Sequence, residues 1–217
     1  MLIYSQVNSA FSKYFVSPKN KSKLLIVSCV LVIFLFLQAS FANVDSFSQQ
    51  LVNAAQERTK HKVKYDGAYR AIGYPMGDVS LSHGVCTDLV VRAYRTLGVD
   101  LQQLVHEDMR SNFSKYPNIW GLRSTDTNID HRRVPNLQTF FKRNGKELKI
   151  SQDADDYAIG DLVTWMLPGN LPHIGIVSNK FIQDLKRPKI IHNIGRGPVE
   201  DDILFKYKIT GHYRYEM

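Results

Sequence analysis

The stretch HGVCTDLVVRAYRTLGVDL, residues 83–101, decides the fold because it places a cysteine at the start of an amphipathic helix. Gly98 supplies the stop, so we predict a helix over Thr87 to Leu97. Free backbone N–H groups and the helix dipole favour negative charge at such an N-terminus. We therefore expect the pKa of Cys86 to lie below its usual value of about 8.5 and the thiol to act as a nucleophile, with a buried structural cysteine as the alternative.

The first 42 residues have a different character from the rest of the chain. Three lysines precede the apolar run LLIVSCVLVIFLFL, residues 24–37, and a small-residue stretch with a Ser40-x-Ala42 cleavage motif follows. This order is typical of a secretory signal peptide. The run is shorter than the roughly 20 residues that span a bilayer, which favours cleavage over an uncleaved anchor in the inner membrane. Either way we expect an exported protein, periplasmic or extracellular.

Removal of residues 1–42 changes the charge and the thiol content of the chain. The net charge falls from +8 to +4 because four lysines and no acidic residue are lost. No block of Lys or Arg remains that would indicate a nucleic-acid partner. Cys29 is lost as well, so Cys86 becomes the single thiol and an intramolecular disulfide is impossible. An unpaired cysteine in an exported protein favours a reactive nucleophile.

Residues 43–217 read as one α+β domain, with helices first and strands second. Apolar spacing predicts a first helix within residues 43–60, a third helix from Asp100, and a short helix that starts at Pro135 and ends at Gly145. After residue 155 the pattern changes to short β-type runs separated by turns. These runs are DLVTWM (161–166), HIGIVS (173–178), KIIHNI (189–194), ILFKYKI (203–209) and HYRYE (212–216).

Two histidines occupy positions where the strand pattern would otherwise be apolar. His173 opens one predicted strand and His192 lies within another. A cysteine nucleophile needs a base, usually an imidazole oriented by a third polar group. Taken alone, each histidine fits a satisfied core residue better than a catalyst. Asn193 follows His192 in the same predicted strand, so its side chain should point to the opposite face of the sheet. It is therefore a weaker candidate than His192 for the third polar group that orients the base.

Three segments together resemble a known family. CTDLVVRAYRTLGVDL, IGDLVTWMLPGNLPHIGIVSN and IIHNIGRG follow the order found in NlpC-type cell-wall cysteine endopeptidases, which belong to the papain-like superfamily. The resemblance implies Cys86 as nucleophile, His173 as general base and then acid, and His192 as the orienting third member. It also implies a papain-like fold in which N-terminal helices pack on a small antiparallel sheet from the C-terminal half.

The chain departs from that pattern in two places. The usual Asp-Cys-Ser-Gly signature reads Val85-Cys86-Thr87-Asp88, and we expect substrate preference to diverge there. The stretch between the cysteine and His173 is longer than usual and includes NIDHRRVPN, residues 128–136. With the C-terminal HNIGRGPVEDDILFKYKITGHYRY, this segment is similar to a bacterial domain-of-unknown-function family, number twelve eighty-seven, over essentially the whole mature chain.

A second set of residues is expected to contact the substrate. The resemblance implies that Tyr74, twelve residues before the cysteine, faces the active site, although a packed or exposed loop aromatic is an equal reading. Hydrogen-bonding groups crowd the segment that begins at Asn128 and could form a carboxylate-binding wall. A solvated loop tied down by ion pairs is the plainer reading, and His83 is read as an exposed loop residue. The candidate wall consists of Asp130, His131, Arg132 and Arg133.

The function expected from these residues is thiol-dependent amide hydrolysis. By resemblance, the substrate is a peptide bond in the stem or cross-bridge of peptidoglycan. The seven histidines show no H-E-x-x-H spacing and no G-x-S-x-G elbow is present, so we expect neither metal, cofactor nor serine chemistry. Two alternatives stay open: a papain-like acyltransferase or lipid esterase, and a non-catalytic module that binds or assembles the cell envelope.

Overall fold

The computed structural model describes residues 46–217, so the predicted signal segment, residues 1–42, lies outside the described residues. The predicted helices are confirmed, and the second starts one residue earlier than expected, at the cysteine itself. They are α1 Phe47–Arg58, α2 Cys86–Thr96, α3 Leu101–Ser111 and α4 Val134–Asn144. Within residues 46–217 no helix is both long and apolar enough to cross a membrane.

Local chemistry explains where these helices begin. The side chains of Ser46 and Asp100 accept hydrogen bonds from backbone N–H groups in the first turns of α1 and α3. In α4, Pro135 lies in the first turn, where a missing N–H costs nothing, and Gly145 follows the last residue. These caps satisfy polar groups that the helix ends would otherwise leave without partners.

The main sheet of the described chain has six antiparallel strands in the order β3, β8, β4, β5, β6, β7. A separate parallel pair, β1 Lys64–Tyr65 and β2 His83–Gly84, precedes the cysteine helix. The strands of the main sheet are β3 Lys146–Glu147, β4 Leu162–Leu167, β5 Leu171–Ile182, β6 Arg187–Asn193, β7 Pro198–Asp201 and β8 Lys208–Arg214.

One strand prediction is wrong. The run 203–209 was expected to form a strand of its own, but residues 204–206 form a turn and strand structure starts at Lys208, continuing through the predicted run 212–216 as far as Arg214. The apolar residues Ile203 and Leu204 are buried because this turn folds over the sheet. The indole N–H of Trp165 donates to the carbonyl of Leu204 at 2.9 Å and holds the turn in place.

The two faces of the main sheet have different covers, since successive side chains of a strand point to opposite faces. Leu162, Ile174 and Ile191 pack with the helices in one hydrophobic cluster. Val163, Trp165, Val177 and Ile190 form a second cluster beneath the 203–207 turn. Helices packed on an antiparallel sheet from the C-terminal half confirm the predicted α+β fold.

The contact between β5 and β6 leaves room for the start of α2. Pairing of these strands begins at Gly175, opposite His192. A Cβ atom at Gly175 would lie 2.6 Å from Ile190, so a side chain there would push the strands apart. Ile174 lies just beyond the last pair, and its backbone N–H is free to reach the N-terminus of α2. The sheet edge at this point therefore receives the cysteine.

Candidate active site

The N-terminus of α2 is fixed by a buried ion pair. The carboxylate of Asp88 accepts the backbone N–H of Val85 at 2.7 Å and receives Nε and a terminal amine of Arg132 at 2.8 and 3.0 Å. The hydroxyl of Thr87 donates to the carbonyl of Arg132 at 3.0 Å. Thr87 and Asp88, which depart from the usual signature, therefore tie the helix start to residues 130–132. Asp88 is buried in this ion pair whereas Val85 lines the pocket, and the divergence of substrate preference at these two residues stays a prediction.

The thiol of Cys86 is almost fully buried, at 4 % exposure. Burial raises its pKa to about 11, and the negative charge of Asp88 acts in the same direction. Hydrogen bonds from the backbone N–H groups of Ile174, Thr87 and Cys86 itself oppose this shift but do not overcome it. The lowered pKa expected from the helix N-terminus is therefore wrong for the resting structure, in which Cys86 is a neutral thiol.

His173 and His192 form a second buried unit. Nε2 of His173 lies 3.3 Å from Nδ1 of His192, and the two rings meet edge to face. The indole of Trp165 packs on His173 with ring centroids 5.9 Å apart. Burial lowers the pKa of His173 to about 3, with the charge of His192 adding to the shift, and lowers the pKa of His192 to about 4. Both imidazoles are therefore neutral at physiological pH.

Cys86 is linked to the strand that carries His173 through the backbone of β5. The Ile174 N–H that bonds to Cys86 belongs to the residue directly after His173. Within residues 46–217, no hydrogen bond joins Sγ of Cys86 to His173. The ring of His173 is instead hydrogen-bonded to His192. Asn193 points to the helix face, as expected, and donates to the carbonyl of Gly84 at 3.4 Å. His192, not Asn193, is thus the residue in contact with His173.

Cys86 opens onto a pocket of about 260 Å³ between the cysteine turn and the 129–135 segment. Arg133 is the more available of its two arginines, because Arg132 is committed to Asp88. The guanidinium of Arg133 lies 4.2 Å from the ring centroid of Trp120 and pairs with Asp130 at 3.3 Å. The remaining lining is mostly apolar: Tyr65, Gly67, Val85, Ile129, Val134, Pro135 and Pro172.

Three predicted substrate contacts are not part of this lining. Tyr74 packs against the ring of His106, with centroids 5.1 Å apart, and is half-exposed elsewhere on the surface. Asp130 is buried and accepts the backbone N–H of Asp126, and His131 is buried with its pKa lowered to about 4 by desolvation. Tyr74, Asp130 and His131 therefore pack against other parts of the protein, away from the pocket. Arg132 and Arg133, by contrast, line the pocket.

The two aromatic residues of the pocket, Tyr65 and Trp120, were not identified from the sequence. Tyr65 reaches the pocket because β1 pairs with β2 and places it opposite Gly84. Burial raises the pKa of Tyr65 to about 12, and the neighbouring Cys86, once ionised at high pH, and Asp88 add to the shift. Trp120 is a lone tryptophan in a polar loop, a position where an aromatic residue is often functional. That signal could have pointed to Trp120, whereas no local pattern singles out Tyr65.

Residues 52–215 match the protein family described as "Domain of unknown function (DUF1287)". The chain belongs to this family. The matched range contains Cys86, His173 and His192, and the predicted resemblance to DUF1287 is confirmed. Among curated proteins, this DUF1287 chain is 49 % identical over 165 residues to "Uncharacterized protein YijF" of Escherichia coli (strain K12), covering 76 % of this chain and 80 % of that protein.

One solved structure shares a more distant likeness with this DUF1287 chain. It is described as the "Structure of NlpC1 from Trichomonas vaginalis", with a TM-score of 0.43 and 15 % sequence identity. The likeness covers 80 % of this chain and 46 % of that one, so the chain spans less than half the length of its neighbour. Within the described residues, no group of three or more His, Cys, Asp or Glu is arranged to hold a metal ion.

Proposed function

We propose that this DUF1287 protein is an exported, thiol-dependent amide hydrolase that cleaves a peptide bond in the stem or cross-bridge peptides of peptidoglycan. Cys86 is the nucleophile, His173 the general base and acid, and His192 the group that orients His173. One observation carries the proposal above all: the cysteine at the start of α2 opens onto a pocket while it touches the backbone beside a paired imidazole.

The resting charges define the first chemical step. Because Cys86 is a neutral thiol and His173 a neutral imidazole, the proton must pass from sulfur to His173 as the sulfur attacks the carbonyl carbon. Catalytic hydrogen bonds often form only in the substrate complex, so the contact between thiol and imidazole belongs to that complex. The S–C bond forms, His173 becomes an imidazolium, and the carbonyl oxygen becomes an oxyanion.

Backbone donors around the sulfur stabilise that oxyanion. The N–H groups of Cys86, Thr87 and Ile174 converge on the thiol in the resting state. Preorganised donors of this kind lower the energy of a developing negative charge. His173 then gives its proton to the leaving amine as the C–N bond breaks, which leaves a thioester on Cys86. Water attacks this thioester with His173 as base and restores the free thiol.

The pocket lining supports an acidic peptide as substrate. Arg133 offers a guanidinium at the pocket wall, and carboxylates bind guanidinium groups through paired hydrogen bonds. Trp120 and Tyr65 provide apolar surfaces for the flat peptide groups on either side of the scissile bond. Peptidoglycan peptides combine free carboxylates with amide bonds, and the signal-like residues 1–42 support a location outside the cytoplasm.

The test compares the full chain with its Cys86→Ala and Cys86→Ser variants on purified peptidoglycan, with released muropeptides separated by chromatography. We expect soluble peptide products from the wild type and a loss of at least about a thousandfold in both variants. Equal product from all three proteins would refute the cysteine mechanism. Product from none of them, with Cys86 still alkylated by a peptide chloromethyl ketone, would refute the substrate and keep the nucleophile.

The pocket argues against the lipid alternative. Its volume of about 260 Å³ and the guanidinium of Arg133 favour a short polar chain over a long acyl chain. Release of fatty acid from phospholipid vesicles by the wild type, absent in Cys86→Ala, would reverse this assignment. Binding of the Cys86→Ala variant to peptidoglycan without any turnover by the wild type would instead support the non-catalytic envelope module.

A further inference from the structure

A second cavity lies behind the imidazole pair, on the sheet face opposite the helices. It has a volume of about 120 Å³ and is bounded by β6, β7 and the turn that follows β7. We call it the rear pocket. The charged and titratable residues in its lining are His192, Arg196, Asp201, Lys206 and Tyr207. A volume several times the roughly 10 to 15 Å³ that one water needs leaves room for a small ligand.

The lining contains a buried polar atom without a partner. His192 is 98 % buried, since only 2 % of its surface is exposed, and its Nε2 makes no hydrogen bond to any group of residues 46–217. Its other ring nitrogen, Nδ1, is bonded to His173. Buried polar atoms in native proteins almost always have a partner, so the cavity beside this nitrogen is a position for a water molecule or a small ligand that hydrogen-bonds to it.

The rear pocket also carries uncommitted positive charge. Among the described residues, neither Arg196 nor Lys206 forms an ion pair, and Lys206 lies over the ring of Tyr207 at 5.6 Å. The carboxylate of Asp201 offsets one of the two positive charges, which leaves the lining with a net charge of +1 while His192 is neutral. A small anion is the ligand class that this charge favours.

The proton count of the two imidazoles shows what such an anion would do. Each neutral ring carries one N–H, and one hydrogen lies between Nε2 of His173 and Nδ1 of His192. If His173 donates it, Nδ1 of His173 is a free base and His192 holds its proton on Nε2, towards the rear pocket. If His192 donates it, Nδ1 of His173 is protonated and cannot accept the proton of Cys86.

We propose that the rear pocket binds a small oxyanion, a carboxylate or a phosphate, which accepts a hydrogen bond from Nε2 of His192 and so switches His173 into its basic form. An anion at this position can accept a hydrogen bond only from a protonated Nε2, so its binding favours the arrangement in which His173 is basic. The regulatory part of this inference rests on the proposed function, whereas the binding site does not. The switch is balanced in protons: the shared hydrogen moves from Nδ1 of His192 to Nε2 of His173, Nδ1 of His173 releases one proton to solvent, and Nε2 of His192 takes one up.

The test uses the full chain labelled with ¹⁵N-histidine, titrated with inorganic phosphate or with acetate against sodium chloride at equal ionic strength. We expect a saturable change of His192 Nε2 from a pyridine-type to a pyrrole-type nitrogen with one of the oxyanions and not with chloride. The two arms distinguish a phosphate ligand from a carboxylate ligand. Arg196→Met and Lys206→Met should each weaken the affinity by about tenfold or more, whereas Lys208→Met, an exposed lysine outside the lining, should not.

No saturable change at His192 with either oxyanion would overturn the proposal. If the ¹⁵N response of His192 to the oxyanion is as strong in Lys206→Met and in Arg196→Gln as in the wild type, the bound ion is an adventitious ion only. That result would also overturn the proposal. The Cys86→Ala variant should keep the full ¹⁵N response, so a response without any Cys86-dependent hydrolysis would refute the proposed function and leave the anion site intact. Wild-type hydrolysis should rise with occupancy of the site.

Discussion

The thiol half and the imidazole half of the site are held in different ways. The thiol half is locked by charge, because Asp88 and Arg132 form a bidentate buried pair directly beneath Cys86. The imidazole half is neutral, with one 3.3 Å hydrogen bond between its two rings and an orphan nitrogen at its far end. The structure thus fixes where the nucleophile lies but leaves open which nitrogen of the base carries the proton.

Because of this difference, substitutions in the thiol half should mainly change protein stability, whereas substitutions in the imidazole half should mainly change activity. Breaking the ion pair of the thiol half leaves an unpaired buried charge, which costs folding free energy. Changing a neutral imidazole leaves no such charge, so its cost appears mainly in the reaction.

His173→Ala should produce the largest effect, a loss in kcat of about a thousandfold or more, because it removes the group that accepts the proton of Cys86. His192→Ala should leave a measurable remainder, with His192→Asn retaining more because an amide can still hold the ring of His173. Muropeptide release under steady-state conditions measures all three. Full activity in His192→Ala would exclude His192 as the third member.

Arg132→Met should lower the free energy of unfolding by about 3 to 5 kcal/mol, because Asp88 would remain charged and buried. The matched control is Arg143→Met, which removes a partly exposed bidentate pair with Asp108 and should cost much less stability than Arg132→Met. Urea denaturation of the three proteins gives these values. Equal losses in the two variants would show that the pair beneath Cys86 has no special role.

Acid should destabilise the imidazole half. The folded pKa values of His173 and His192, about 3 and 4, lie below the unfolded value near 6.5. As pH falls below about 6.5 the unfolded chain binds protons first, so stability is lost between that pH and the folded values. His192→Asn should reduce this slope by up to about 1.4 kcal/mol per pH unit. An unchanged slope in urea titrations between pH 6 and 4.5 would mean that His192 is already charged in the native state.

Arg133→Met should have the smallest effect, a rise in KM of about tenfold with kcat nearly unchanged. Its guanidinium stands beside Trp120 at the pocket wall and contributes to binding rather than to the chemical step. The apolar stem of Met keeps the packing against the indole. A fall in kcat at constant KM would place Arg133 in the chemistry instead, and Arg143→Met should change neither constant.

The helix at Cys86 and the strands that carry the histidines could be predicted because both follow local periodic patterns. Apolar spacing and Gly98 mark α2, and the runs that became β4, β5 and β6 read as strands. Alternation also placed His192 and Asn193 on opposite faces correctly. These features depend only on neighbours in the chain.

The failed predictions depend on tertiary structure. A helix N-terminus alone favours a thiolate, but the depth of burial of Cys86 is set by α1 and the sheet, and it reverses the shift. A single 3-10 turn, Asp130–Arg132, sends the first residues of the candidate wall inward and leaves Arg133 at the pocket. The turn that begins at Leu204 resembled a strand because its apolar residues cover the second hydrophobic cluster.

The central claim is that the resting site holds a neutral thiol which loses its proton only in the reaction. The direct test is the pH dependence of Cys86 alkylation by iodoacetamide in the full chain with Cys29→Ser, so that a single thiol is present. We predict a rate that keeps rising from pH 7 towards the pKa of about 11, with no plateau near neutrality. A plateau already reached below pH 7 would show a resting thiolate and contradict this account.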